Sequence, residues 1–318
     1  MPNVEGMKAV IATGLNVLAD SLEIADVPEP EPQADEAVVA VEAFSVNRGE
    51  ALFLTGAYGR PVDKGWRPGQ DIAGVVVRAA ADGSGPAVGA RVVGHPEGTG
   101  WAEQVAVPTG RLAELPDAVS APTAAALPLA GLTALRLVRA AGDIVGRRAL
   151  VTAAAGGVGF FLTELLVGAG AEIVAVTSND TRAVRLRELG AAQVVKRAAD
   201  AEGRFDLVFE SVGGQEFADA VGKAAPGATV LWYGQASLKA PTLDFFSLMA
   251  STPLTIKHFP HWISPFTDGQ DIATLVRLVA AGRLHPEVGR VADWADTAQA
   301  LVDVYERRVQ GNAVLTIG

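Results

Sequence analysis

Between the apolar stretch Ala149 to Thr152 and the apolar stretch that begins at Phe160, the chain runs Ala153-Ala154-Ala155-Gly156-Gly157-Val158-Gly159. Residues 154–159 fit the pattern A-x-G-x-x-G, placed directly after a strand and directly before a helix, which is the context that gives the motif meaning. A small first residue permits the tight turn, Gly156 lets backbone approach a pyrophosphate, and Gly159 lets helix and strand pack closely. The first amides of the helix complete an anion site. The spacing thus predicts a dinucleotide-binding turn, with Ala155, Gly156, Gly157 and Val158 as phosphate contacts. A glycine cluster that merely closes a strand-helix turn is the plainer alternative.

The chain downstream of the turn favours dinucleotide binding. Strand patterns at Ile173 to Thr177, Gln193 to Val195, Leu207 to Glu210, Thr229 to Tyr233 and Leu254 to His258 alternate with helical patterns at Gly157 to Gly168, Thr181 to Leu189 and Gln215 to Ala224. Continuous apolar strands alternating with helices predict a parallel sheet buried on both faces, a doubly wound domain. Before it, short strands at Lys8 to Ile11, Ala37 to Ala43, Gly74 to Arg78, Arg91 to Gly94 and Glu103 to Val107 are separated by dense Pro and Gly, as in an antiparallel barrel or sandwich. The Ala- and Leu-rich stretch Ala121 to Ala141 predicts a helical linker. Helices at Asp271 to Ala281 and Trp294 to Tyr305 and a strand at Ala313 to Ile317 are expected to return to the β-rich half. The division expected is residues 1–120, 121–258 and 259–318, the last completing the first domain.

With 318 residues the chain exceeds what a single core comfortably holds. Its 26 basic residues stand against 36 acidic ones, a net charge of -10 that repels polyanions, so neither nucleic acid nor a membrane surface is an expected partner. The absence of cysteine removes disulfides and thiolate zinc sites, and no metal is expected. Long apolar runs are interrupted by Pro122, Pro128 and Gly131, and the first residues lack the pattern of a secretory signal; a cytoplasmic protein is expected.

The choice between dinucleotides rests on the end of the second strand, where an acid would bind the ribose hydroxyls. Thr177 stands there, followed by Ser178, Asn179, Asp180, Thr181 and Arg182. Thr177, Ser178, Asn179 and Arg182 suit a 2'-phosphate and therefore NADPH. Asp180 either caps the next helix or, in a shifted register, binds ribose.

Several segments together resemble the medium-chain dehydrogenase/reductase superfamily, in its zinc-independent quinone oxidoreductase and enoyl reductase branch. They are Val46 to Glu50, Thr55 to Tyr58, Pro68 to Gly74, Ala124 to Pro128, Gly131 to Ala134, Ala153 to Gly159, Phe205 to Gly213 and Gly311 to Leu315. The resemblance implies a GroES-like β-barrel catalytic domain with a Rossmann domain, an active site between them, and a homodimer paired through Leu254 to His258. In zinc-dependent relatives a Cys lies near Asn47 and a His-Glu pair lies at Gln70-Asp71; both are replaced here. The hydride acceptor implied is a small molecule with a conjugated carbonyl, or a quinone. Arg48 is expected near the nicotinamide, Thr133 near the phosphates, and Ser211, Val212, Tyr233, Gly234 and Gln235 along the nicotinamide ribose and ring. Arg182 falls at a 2'-phosphate position and Asn312 at a C-terminal phosphate contact. The chain departs from the family in lacking a tyrosine near Lys196 and in a short segment between Val195 and Phe205.

Reducing an enone requires hydride at the β-carbon, a donor on the carbonyl oxygen and a proton for the α-carbon. Tyr58 is the first candidate donor, with packing over the barrel as its structural alternative. Asn47 offers an amide donor, and Glu50 either positions ribose or relays a proton; each can instead stabilise its loop. Arg48 either binds phosphate or pairs with an acid. Tyr58 with His258, Phe259 and Trp262 can line an aromatic substrate pocket, or the last three can secure a dimer edge. Two other functions stay open: a biosynthetic reductase of a polycyclic or carrier-bound intermediate, and a non-catalytic NADPH-binding protein of the crystallin-like or RNA-binding kind.

Overall fold

The computed structural model describes residues 6–250 and 253–318. The chain divides into two compact units, Met1–Leu132 with Pro265–Gly318, and Thr133–Ser264. Residues 265–318 belong to the first unit, where the last strand of the chain is hydrogen-bonded to an early one.

The first unit holds strands β1 (Gly6–Ala12), β2 (Leu22–Pro28), β3 (Glu36–Val46), β4 (Ile72–Arg78), β5 (Arg91–Gly94), β6 (Gln104–Pro108) and β7 (Leu112–Glu114), with helix α1 (Arg48–Leu54) after β3 and α2 (Ala121–Ala125) near its end. In the second unit lie β8 (Arg148–Val151), β9 (Glu172–Val176), β10 (Gln193–Val195), β11 (Phe205–Glu210), β12 (Ala224–Trp232) and β13 (Thr255–His258). Between them run α4 (Gly157–Gly168), α5 (Asp180–Glu188), α6 (Gly214–Gly222) and α7 (Phe245–Ala250), while α3 (Pro128–Ala141) carries the chain from one unit to the other. The first unit is completed by α8 (Asp268–Ala280), β14 (Val288–Asp293), α9 (Thr297–Tyr305) and β15 (Asn312–Thr316).

In the first unit β3 organises the main sheet. The order is β14-β15-β3-β4-β5-β7, β6 also pairs with β3, and β1 and β2 form a separate antiparallel ribbon. Every pair of the main sheet is antiparallel except β14 with β15. The core gathers Val39, Val41, Phe44, Ile72, Trp101 and Leu315. Trp101 is fully buried, stacks on Phe44 at 5.6 Å and donates its indole N–H to the Ser45 carbonyl at 3.0 Å. That bond satisfies the ring's only polar atom, so a large aromatic can sit at the centre.

The second unit is a six-stranded sheet in the order β10-β9-β8-β11-β12-β13, parallel throughout. Strands β8 and β11 are central and apolar, as burial on both faces demands. Ala121 to Ala141, expected as one linker helix, is two helices: Ser120 caps α2 by accepting the Thr123 amide, and α3 starts afresh at Pro128, where a missing N–H costs nothing. Strand β14 has no apolar signal, since it alternates half-buried and exposed residues and includes Gly289 and Arg290. Among the described residues no helix is long and apolar enough to cross a membrane.

Candidate functional site

The turn after β8 is built as its sequence predicts. Ala153 takes a left-handed conformation (φ 48°), Ala154 N–H reaches the Val176 carbonyl at the end of β9, and Gly156 is the N-cap of α4. A Cβ on Gly159 would lie 2.4 Å from the Ala154 carbonyl oxygen and 2.5 Å from that of Ala153. Helix and turn can approach this closely only with glycine at that position. Ala155, Gly156, Gly157 and Val158 therefore line the start of a helix whose free amides suit an anion, and the cradle fits a dinucleotide pyrophosphate.

Ser211, Val212, Gly234 and Gln235 come together at the ends of β11 and β12. Ala236 N–H bonds the Ser211 carbonyl at 2.8 Å and Ser237 N–H bonds the Val212 carbonyl at 2.9 Å. Beneath them lies Glu210, a fully buried residue that the sequence pattern marks only as a strand end. Its carboxyl accepts the amides of Val212 (2.7 Å) and Gly213 (3.1 Å) and meets the Thr152 hydroxyl at 3.3 Å, while Thr152 accepts the Ser211 amide at 3.0 Å. Burial raises the Glu210 pKa, and the two amides oppose that rise. Glu210 thus fixes the loop by binding its backbone. Tyr233 begins the second loop, and burial pushes its hydroxyl up to about 12.

The end of β9 carries the specificity candidates. Thr177 accepts the Asn179 amide at 3.3 Å, and Asn179, rather than Asp180, caps α5 by accepting the Arg182 amide at 3.0 Å. Asp180 instead meets Lys196 at 3.1 Å. Because Val195 pairs with Val176, Lys196 follows the pairing at the strand end beside Thr177. In the sequence Lys196 marks only the place of a missing tyrosine; the parallel register is what brings it here.

In the first unit, Asn47 and Glu50 open helix α1. Glu50 reaches back to accept the Asn47 amide at 2.9 Å, one half of a capping box. Asp71, fully buried on the segment leading into β4, accepts the Ser45 hydroxyl at 2.6 Å, the Asn47 side-chain amide at 2.7 Å and the Leu129 amide at 2.8 Å. His95 lies 3.4 Å from the same carboxyl and 2.8 Å from the Gln70 carbonyl. Hydroxyl and amide hydrogens converge on the carboxylate here. Among the described residues no three His, Asp or Glu side chains are grouped to hold a metal. Glu50, only 4% exposed, has one carboxyl oxygen without a hydrogen-bond partner. Burial first, and the neighbouring Asp71 second, raise its pKa from 4.5 to about 8. Hydrogen bonds from Asn47 oppose that rise without cancelling it, so Glu50 keeps a proton near neutrality.

The remaining predicted residues are dispersed. Arg48 donates to the Tyr305 carbonyl and stacks over the Tyr305 ring at 4.9 Å. Asn312, also in this unit, is buried with its amide nitrogen 3.2 Å from the Glu287 carbonyl. Tyr58 is 60% exposed beside Phe53, and partial desolvation with nearby Glu50 raises its hydroxyl pKa. In the second unit Thr133 is buried on α3, His258 is exposed on β13, Phe259 is buried, and Trp262 is exposed with its ring against His261.

Comparison with known proteins agrees with this architecture. Residues 33–117 match the alcohol dehydrogenase GroES-like domain and residues 170–315 the zinc-binding dehydrogenase family. A probable quinone oxidoreductase of Leishmania amazonensis is 31% identical, covering 73% of this chain and 71% of that protein. Crotonyl-CoA reductase of Streptomyces avermitilis is 28% identical over 92% of this chain and 81% of its own length. A mycobacterial protein solved in complex with NADPH superposes with a TM-score of 0.87 at 26% identity, covering 98% of this chain and 99% of that one. The chain belongs to the medium-chain dehydrogenase/reductase superfamily, in its quinone oxidoreductase-like branch.

Proposed function

We propose that this protein is an NADPH-dependent reductase of conjugated carbonyl compounds or quinones that works without zinc. The observation that carries the cofactor is the end of β9: Lys196 neutralises Asp180, the one acid near the ribose position, beside a phosphate turn closed by Gly159. The mycobacterial relative with NADPH supports it.

When bound, NADPH supplies a hydride. The amides of Gly157 and Val158, at the start of α4, would hold its pyrophosphate, and Lys196 with Arg182 its 2'-phosphate. Ser211, Val212, Gly234 and Gln235, held by Glu210 and Thr152, would border the nicotinamide end. In the first unit Asp71 orients the Asn47 amide, which has a second N–H to offer a carbonyl oxygen. Tyr58 offers an exposed hydroxyl for the same task, and Glu50 holds a proton close by. A conjugated acceptor suits a site without a Lewis acid, because its own carbonyl draws off the charge that hydride addition creates.

Loss of NADPH absorbance against a panel of quinones, enones and enoyl thioesters tests the proposal. Turnover with at least one class is expected. Tight NADPH binding with no turnover on any would overturn it in favour of a non-catalytic role. A homodimer joined along β13, whose four residues are all exposed, belongs to the same proposal and is checked by sedimentation.

A further inference from the structure

Among the arginines of the first unit that are not exposed, Arg48, Arg91, Arg111 and Arg290 each meet a carbonyl or carboxylate. Arg67 meets none: it is partly buried and its Nε is closed off from solvent with no hydrogen-bond partner. Burial with no anion to offset it lowers its pKa. The acids of the surrounding loops are engaged elsewhere or lie in solvent: Asp71 on Ser45, Asn47 and Leu129, Glu97 on Arg111, and Asp63 exposed.

The backbone around Arg67 is fixed. The carbonyls of Trp66, Arg67, Pro68 and Gly69 accept the amides of Ala12 (2.8 Å), Thr99 (3.1 Å), Trp101 (3.3 Å) and Gly100 (3.2 Å). A Cβ on Gly69 would lie 2.4 Å from the Trp101 nitrogen, so this packing is specific to glycine. Thr99, which holds the Arg67 carbonyl, is a β-branched residue at φ 64°, a conformation that costs on the order of 1–3 kcal/mol and is kept where surroundings demand it. The same segment ends at Asp71, the anchor of Asn47. It begins at Trp66, whose ring packs 4.7 Å from Phe53, the neighbour of Tyr58.

We propose that Arg67 is an anion-binding subsite for the acceptor, so that the compound reduced carries a carboxylate, sulfonate or phosphate group remote from the reacting carbon. This rests on the reductase function proposed above. A partly desolvated guanidinium on a fixed stretch of backbone makes charge-assisted bonds to such a group.

The test compares kcat/KM of wild type, Arg67→Gln and Arg67→Lys on two matched pairs: naphthoquinone and its sulfonate, and the crotonyl thioesters of N-acetylcysteamine and coenzyme A. In Arg67→Gln the preference for the charged member falls about tenfold or more, chiefly through KM, and Arg67→Lys recovers part of it. A fall in the sulfonate pair assigns the anion to the acceptor itself; a fall confined to the thioester pair assigns it to the carrier's phosphates. An unchanged ratio in both pairs overturns the subsite. If wild type reduces none of the four, the wider panel of quinones, enones and enoyl thioesters decides on the reductase function, and isothermal titration with naphthalene sulfonate and butyryl-coenzyme A decides on Arg67 alone. About tenfold weaker binding to Arg67→Gln supports the subsite, and equal binding overturns it.

Discussion

The two units hold functional groups in opposite ways. In the Rossmann unit the site is made of backbone: helix amides at Gly157 and Val158, and loop amides gathered onto Glu210. In the GroES-like unit it is made of side chains, with Ser45, Asn47 and His95 arranged around Asp71 and a buried Glu50 alongside. A backbone site requires particular residues only where a Cβ cannot fit, and so leaves glycines at fixed spacing. A side-chain site draws its members from β3, α1, the segment before β4 and the loop after β5, and leaves no spacing at all.

The largest expected effect sharpens the side-chain half. Glu50 has a pKa of about 8 when folded against 4.5 ordinarily, so between those values the folded protein keeps a proton that the unfolded chain has released. Its contribution is therefore fully present below pH 4.5 and lost as pH rises towards 8. Glu50→Gln, which resembles the protonated form, should be progressively more stable than wild type across that window, by on the order of 5 kcal/mol at full extent. Chemical denaturation at several pH values checks this; parallel curves for the two proteins would break the claim that Glu50 is a buried, proton-holding acid.

Next in size is the backbone half. Helix propensity alone favours Gly159→Ala by about 1 kcal/mol, whereas the approach of two carbonyl oxygens opposes it by on the order of 3 kcal/mol. Net destabilisation and a loss of NADPH affinity are expected, read by thermal melting and fluorescence titration. A stabilised variant would mean that the turn yields, and that its glycine is not a packing requirement.

The smallest effect concerns specificity. Lys196→Ala should lower the preference for NADPH over NADH about tenfold, near 1.4 kcal/mol, by removing a cation and releasing Asp180. Titration with both nucleotides measures it, and an unchanged preference would shift the role to Arg182 alone.

These contrasts explain what the sequence discloses. The doubly wound sheet and the turn are legible because alternating apolar strands and glycine spacing are local signals, whereas Ser211, Val212, Gly234 and Gln235 are singled out only by the family resemblance. Lys196 escapes because only the pairing of β10 with β9 places it beside Thr177. Asp71 and His95 escape because they lie 24 and 48 positions from Asn47: the sheet brings Asp71 to Asn47 and His95 to Asp71. Arg48 and Asn312, expected at the cofactor, are engaged by carbonyls of the first unit, Tyr305 and Glu287, which no local pattern announces. Strand β14, Val-Gly-Arg-Val-Ala-Asp, is hidden because its residues do not alternate polar with apolar and none of them is fully buried.

The central claim is that hydride passes from NADPH to a conjugated carbon. A turnover with NADPH deuterated at the transferable position of its nicotinamide, on an enone identified from the panel, measures it by mass spectrometry of the product. Deuterium at the β-carbon is the predicted result; product without the label, or no product from an enzyme that binds NADPH, would contradict it.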